Sequence, residues 1–94
     1  MAVEKVIETM FNDFDRFKDV ILQLYIDHRE TMDNYLSKSN NTEEKVKMIL
    51  ELIYSKLYFL EEKMRNLADE YVNNSKQYRK FLELKEYLLN KEWR

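Results

Sequence analysis

The sequence predicts an all-α protein built as an antiparallel helical hairpin, with a long second helix or a short third one, dimerising into a four-helix-type bundle. Three observations carry this. The 94 residues contain no glycine, proline or cysteine, whereas glycine and proline ordinarily contribute about 7% and 5% of a domain and supply its tight turns and kinks. Apolar residues recur at alternating steps of four and three, the 3.5-residue period of a coiled-coil-like heptad seam. One short polar segment interrupts that pattern.

The first seam runs through Val3, Ile7, Met10, Phe14, Phe17, Ile21, Leu24, His28, Thr31 and Tyr35, which predicts a helix over about 2–37. Phe11, Tyr25 and Met32 add a stripe flanking it. Ser37 to Thr42 is the densest cluster of turn formers, and its asparagines tolerate the left-handed conformations that glycine would otherwise supply. A turn is therefore placed at 38–42. Asn41 followed by Glu44 has the form of a capping box, with Thr42 as the alternative cap. The second helix, over about 43–73, carries Val46, Leu50, Ile53, Leu57, Leu60, Met64, Leu67 and Tyr71 in the same alternation. Laid antiparallel, the two seams match from Tyr35 against Val46 through Ile21 against Leu60 and Phe17 against Met64 to Val3 against Tyr78.

Beyond that point Phe81, Leu84, Leu88 and Trp93 continue the second stripe with no intramolecular partner. Either the helix runs straight on and a second chain covers the overhang, or the chain bends at Asn73 to Ser75 into a third helix over about 75–92. Soluble monomers rarely leave so large an apolar surface exposed, and a domain this small gains from oligomerisation. The straight helix and a homodimer are expected. Ile49, Leu52, Tyr54, Tyr58 and Phe59 widen the apolar arc of the second helix beyond what one neighbour covers. Together with Phe81, Leu84, Leu88 and Trp93 they form the expected protein interface.

Net charge is −2 with 36% charged residues, so no global field marks a partner. Residues 1–37 hold eight acids and four bases, while residues 76–94 hold three acids and six bases. Lys76, Arg79, Lys80, Lys85, Lys91 and Arg94 are the candidate contacts to nucleic acid, with Tyr78, Tyr87 and Trp93 available to stack on bases. Cations late in a helix also complement its dipole. Without cysteine there is no disulfide or thiolate site, which fits a reducing compartment. Charges among residues 1–11 exclude a signal-peptide pattern there, and the longest apolar run, Leu57 to Leu60, falls far short of a bilayer span. A cytoplasmic protein without membrane association is expected.

Two sets of residues are candidates for catalytic chemistry. His28, the one histidine, falls in the seam and reads as a partly buried structural residue; Tyr25 stands where the Glu-x-x-His motif of di-iron bundles needs glutamate. Asp13, Asp15, Asp19, Glu61, Glu62, Asp69 and Glu70 flank the seam as a solvated charged face. Asp19, Leu22, Ile26 and Arg29 resemble the middle of the first helix of the intertwined helical chorismate mutases over about a dozen residues. Asn12 stands where that family has an arginine, so the dicarboxylate anchor is missing and the resemblance is not adopted. No enzyme, metal or cofactor is expected. The function that follows is a non-catalytic helical protein-interaction module that self-associates and binds another protein, with nucleic-acid binding by the basic, aromatic C-terminal helix as the alternative.

Overall fold

The computed structural model describes residues 2–38, 41–67 and 70–91, and every element among them is an α-helix. In chain order these are α1 (Ala2–Asn12), α2 (Phe14–Asp27), α3 (Arg29–Lys38), α4 (Thr42–Asn66) and α5 (Tyr71–Asn90). Contacts divide the chain into two units: α1 to α3 with α4 as far as Ile49, and the rest of α4 with α5.

The helix expected over 2–37 is three helices. Asp13 (φ −124°, ψ 57°) and His28 (φ −133°, ψ 54°) each interrupt it by a single residue. Neither break opens the ladder far, since Asp13 N–H donates to the Thr9 carbonyl at 3.2 Å and His28 N–H to that of Leu24 at 2.7 Å. Their positions follow from burial. Phe11, Leu22, Tyr25, Met32 and Leu36 lie off the heptad seam, yet all are buried, three of them completely. A straight helix presenting only its seam would leave them at the margin. Each break forfeits one or two net hydrogen bonds of about 1 kcal/mol, whereas each large side chain taken from water returns about 1.5–3 kcal/mol, so the bent arrangement wins.

The bends lay α1 antiparallel beside α3, with Glu4 paired to Lys38 and Phe11 stacked on Tyr35 (centroids 5.7 Å apart, planes 12°). Across the second break the Tyr25 hydroxyl donates to Asp33 at 2.5 Å. His28 itself is exposed. It does not sit in the seam as the sequence suggests, because it occupies the break where the helix turns its side chain out.

At the expected turn α3 ends at Lys38 and α4 begins at Thr42, while Ser39 and Asn40 lie outside the described residues. Asn41 takes the N-cap position, its carbonyl accepting from Lys45 N–H at 3.0 Å. Lys45 reaches back to Tyr35, beside the Tyr35 and Val46 pair that the sequence register places at the start of this reversal.

In the second unit α4 and α5 form a helical hairpin. Ile53, Leu57 and Leu60 on α4 and Phe81, Leu84 and Leu88 on α5 are buried stripes, none more than 7% exposed. The two helices meet where the Lys85 ammonium lies over the Tyr54 ring at 4.9 Å. The straight second helix is thus corrected: α4 ends at Asn66 and α5 begins at Tyr71. The bend also lies earlier than Asn73 to Ser75, which fall inside α5. The Asn74 amide nitrogen is buried there without a hydrogen-bond partner among the described residues, at a cost of about 1–3 kcal/mol that the neighbouring apolar stripe offsets.

Candidate functional site

Three features of the described residues stand apart from the apolar core. The first is a polar cluster where α1, α3 and the start of α4 meet. The Tyr35 hydroxyl donates to the Glu8 carboxylate, and Lys45 donates both to Glu8 at 3.0 Å and to the Tyr35 oxygen at 2.5 Å. The Lys45 ammonium also lies over the rings of Tyr35 (4.9 Å) and Phe11 (5.4 Å). Because the side chain is only 12% exposed, these partners replace the water it has lost.

The hydrogen bond from Tyr35, then that from Lys45, holds the Glu8 carboxyl below its ordinary value. Burial, then the bond to Glu8, pushes the Tyr35 phenol up. Burial alone would lower Lys45, but its bonds to Tyr35 and Glu8 outweigh that and leave it raised. A more strongly held proton on Lys45 and on Tyr35 makes neither a nucleophile near neutrality. The cluster is a clamp on the fold.

Its pH dependence follows from those directions. Glu8, with its folded value depressed, contributes stability that is present above the ordinary carboxylate value near 4.5 and lost as pH falls through the folded one. Lys45 and Tyr35, with folded values raised, contribute stability present below their ordinary values and lost as pH rises through the folded ones. Thermal melts followed by circular dichroism should give a Tm plateau between about pH 5 and 10. Glu8→Gln should flatten the acid limb of that profile. Since Glu8 is half exposed, its share is about 1 kcal/mol or less.

The second feature is aromatic and belongs to the second unit. Tyr54, Tyr58 and Phe59 are 47%, 70% and 49% exposed on α4. Lysines cover two of the three rings: Lys85 lies over Tyr54 at 4.9 Å, and Lys56 and Lys63 over Phe59 at 5.2 and 5.1 Å. Leu52, on the same helix, is half-buried.

The rest of the expected interface falls elsewhere. Ile49, Phe81, Leu84 and Leu88 are at most 2% exposed; they lie inside the chain and need no second chain to cover them. The overhang argument for a dimer fails with them, because α5 turns back on α4 and buries its own stripe. Trp93 and Arg94 lie outside the described residues.

The third feature is the outer flank of α5, where Lys76, Arg79 and Lys80 share a shallow groove of about 370 Å³ with Tyr71, Val72, Ser75 and Glu83. The other described candidates lie elsewhere: Lys85 over Tyr54, and Lys91 over Tyr87 at 5.4 Å. Sequence reasoning missed a further apolar groove, of about 330 Å³, lined by Val6, Met10, Phe17 and Val20 with Lys5 and Thr9. It follows from the bend at Asp13, and the exposed Val6 and Val20 beside the seam were its sequence sign.

Among the described residues no group of three or more histidines, aspartates or glutamates gathers in ligand range. The flanking carboxylates are exposed or, for Glu62, half-buried, and Glu61 and Glu62 pair with Arg65 at 3.7 and 3.1 Å along α4; Asp69 is outside the described residues. No helix among the described residues is long and apolar enough to cross a membrane. Comparison with protein families, curated proteins and solved structures finds no match.

Proposed function

We propose that this chain is a non-catalytic helical interaction module that presents the exposed aromatic face of α4 to a protein partner, a second copy of itself included. The observation that carries the reading is the exposure of Tyr54, Tyr58 and Phe59 on a helix whose opposite stripe, Ile53, Leu57 and Leu60, is fully engaged. Large aromatic side chains left in water on a rigid element are the usual anchors of protein interfaces, contributing much of the binding energy once desolvated. Lys56, Lys63 and Lys85 over these rings add a cationic rim. Nucleic-acid binding draws less support, since among the described candidate cations only Lys76, Arg79 and Lys80 share a surface, and Glu83 ends it with opposite charge.

The test is a comparison of the parent with the double variant Tyr58→Asp and Phe59→Asp. Both positions are exposed, so helicity and Tm should change little. Sedimentation equilibrium at micromolar concentrations and affinity capture from the native host should show self-association or a specific protein partner for the parent, weakened at least tenfold in the variant. Equal association by both proteins would refute the reading.

A further inference from the structure

The groove on α5 has a form that the aromatic face of α4 lacks. Its walls are two adjacent rows of side chains spaced four residues apart, Tyr71, Ser75, Arg79 and Glu83 on one side and Val72, Lys76 and Lys80 on the other. From residue 71 to 83 it runs about 18 Å along the helix axis. A trough between two such rows is what receives a ridge of a second helix in the commonest class of helix packing, at a crossing angle of about −50°.

Its chemistry is graded along that length. Tyr71 and Val72, 54% and 63% exposed, make one end apolar. Lys76, Arg79 and Lys80 make the middle cationic, and none of the three forms an ion pair with a described residue. Glu83 closes the far end with opposite charge. A polynucleotide backbone asks for an unbroken cationic track, whereas a short helix carrying an apolar residue and a turn of carboxylates matches this order of groups.

We propose that the outer groove of α5 docks an acidic amphipathic helix of a partner protein, whose carboxylates pair with Lys76, Arg79 and Lys80 and whose apolar residue covers Tyr71 and Val72. The proposal rests on the reading of the chain as an interaction module and assigns it a second surface with a partner of defined chemistry. Charge complementarity of this kind sets orientation and association rate as well as affinity.

The test uses the full chain and a fluorescein-labelled 18-residue alanine-based helical peptide carrying one leucine and glutamates at i and i+4. Anisotropy titrations should show saturable binding that weakens as salt is raised. The same peptide with glutamine for glutamate should bind at least tenfold more weakly. The triple variant Lys76→Ala, Arg79→Ala, Lys80→Ala should lose at least tenfold in affinity for the glutamate peptide while keeping the parent's helicity. The Tyr58→Asp and Phe59→Asp protein should bind the peptide as the parent does, which separates this groove from the aromatic face. No binding by the parent, or equal binding by the triple variant, would overturn the proposal. So would tighter binding of a 15-nucleotide oligothymidine than of the peptide, or a self-association that the triple variant abolishes and the peptide fails to compete.

Discussion

Replacing Ile21 with aspartate should unfold the protein. Ile21 is completely buried on α2, beside Leu22 at 4% exposure and one turn before the equally enclosed Tyr25. A carboxylate forced into that position loses its hydration without a basic partner, which costs several kcal/mol whether it stays charged or takes up a proton. Domains of this size hold only about 5–10 kcal/mol in total. The adjacent Val20, 52% exposed, supplies the control: Val20→Asp introduces the same charge into the same helix and should move stability by about 0.5 kcal/mol or less. Urea titrations and thermal melts monitored at 222 nm compare the two variants directly. An Ile21→Asp protein that melts with the parent would mean that α2 is not seated by this face.

The contrast between those neighbours shows what was legible in the sequence and what was not. The all-helical class follows from composition, since a chain without glycine or proline has no ready means to make many tight turns. The end of α3 at Lys38 and the start of α4 at Thr42 flank the one dense run of turn formers, and Lys45 contacts Tyr35 from the far side of it. The breaks at Asp13 and His28 carry no such sign. Asn12 and Asp13 have weak helix preference, but the difference from neighbouring residues is a few tenths of a kcal/mol each. What decides the matter is the burial of Phe11, Tyr25 and Met32. Those residues were visible as a stripe flanking the seam, and a stripe that one partner helix cannot cover is itself a hint that the helix bends around its own core.

The clamp of Glu8, Tyr35 and Lys45 was hidden for the same reason. Glu8 and Tyr35 are 27 residues apart and meet only because both breaks turn α1 back along α3. In a straight helix the same two residues would lie about 40 Å apart. Likewise the adjacent asparagines at 73 and 74 attract a prediction of a hinge, yet α5 runs through them and the chain turns before Tyr71. Local propensity ranks the asparagines as the weaker helix formers, and the packing of Phe81, Leu84 and Leu88 overrides that rank.

Truncation after Tyr78 should abolish the fold. Were the second helix straight and its end an overhang, removing residues 79–94 would leave a helical hairpin intact and weaken only its association. The observed hairpin makes the opposite outcome the expected one. Phe81, Leu84 and Leu88 are 2%, 1% and 2% exposed, and at about 1.5–3 kcal/mol for each buried side chain their loss removes about 5–9 kcal/mol. That is comparable with the whole stability of a domain of this length. The cut also strips the cover from Ile53, Leu57 and Leu60, so the truncated chain should aggregate or give collapsed amide dispersion by NMR with reduced ellipticity. A point-substitution pair isolates the cause: Leu88→Asp should destabilise as severely as the truncation, while Leu89→Asp, at a position 55% exposed, should be tolerated. A truncated protein that remained helical and melted cooperatively at the parent's temperature would place α5 outside the core and restore a second chain as the cover for its apolar stripe.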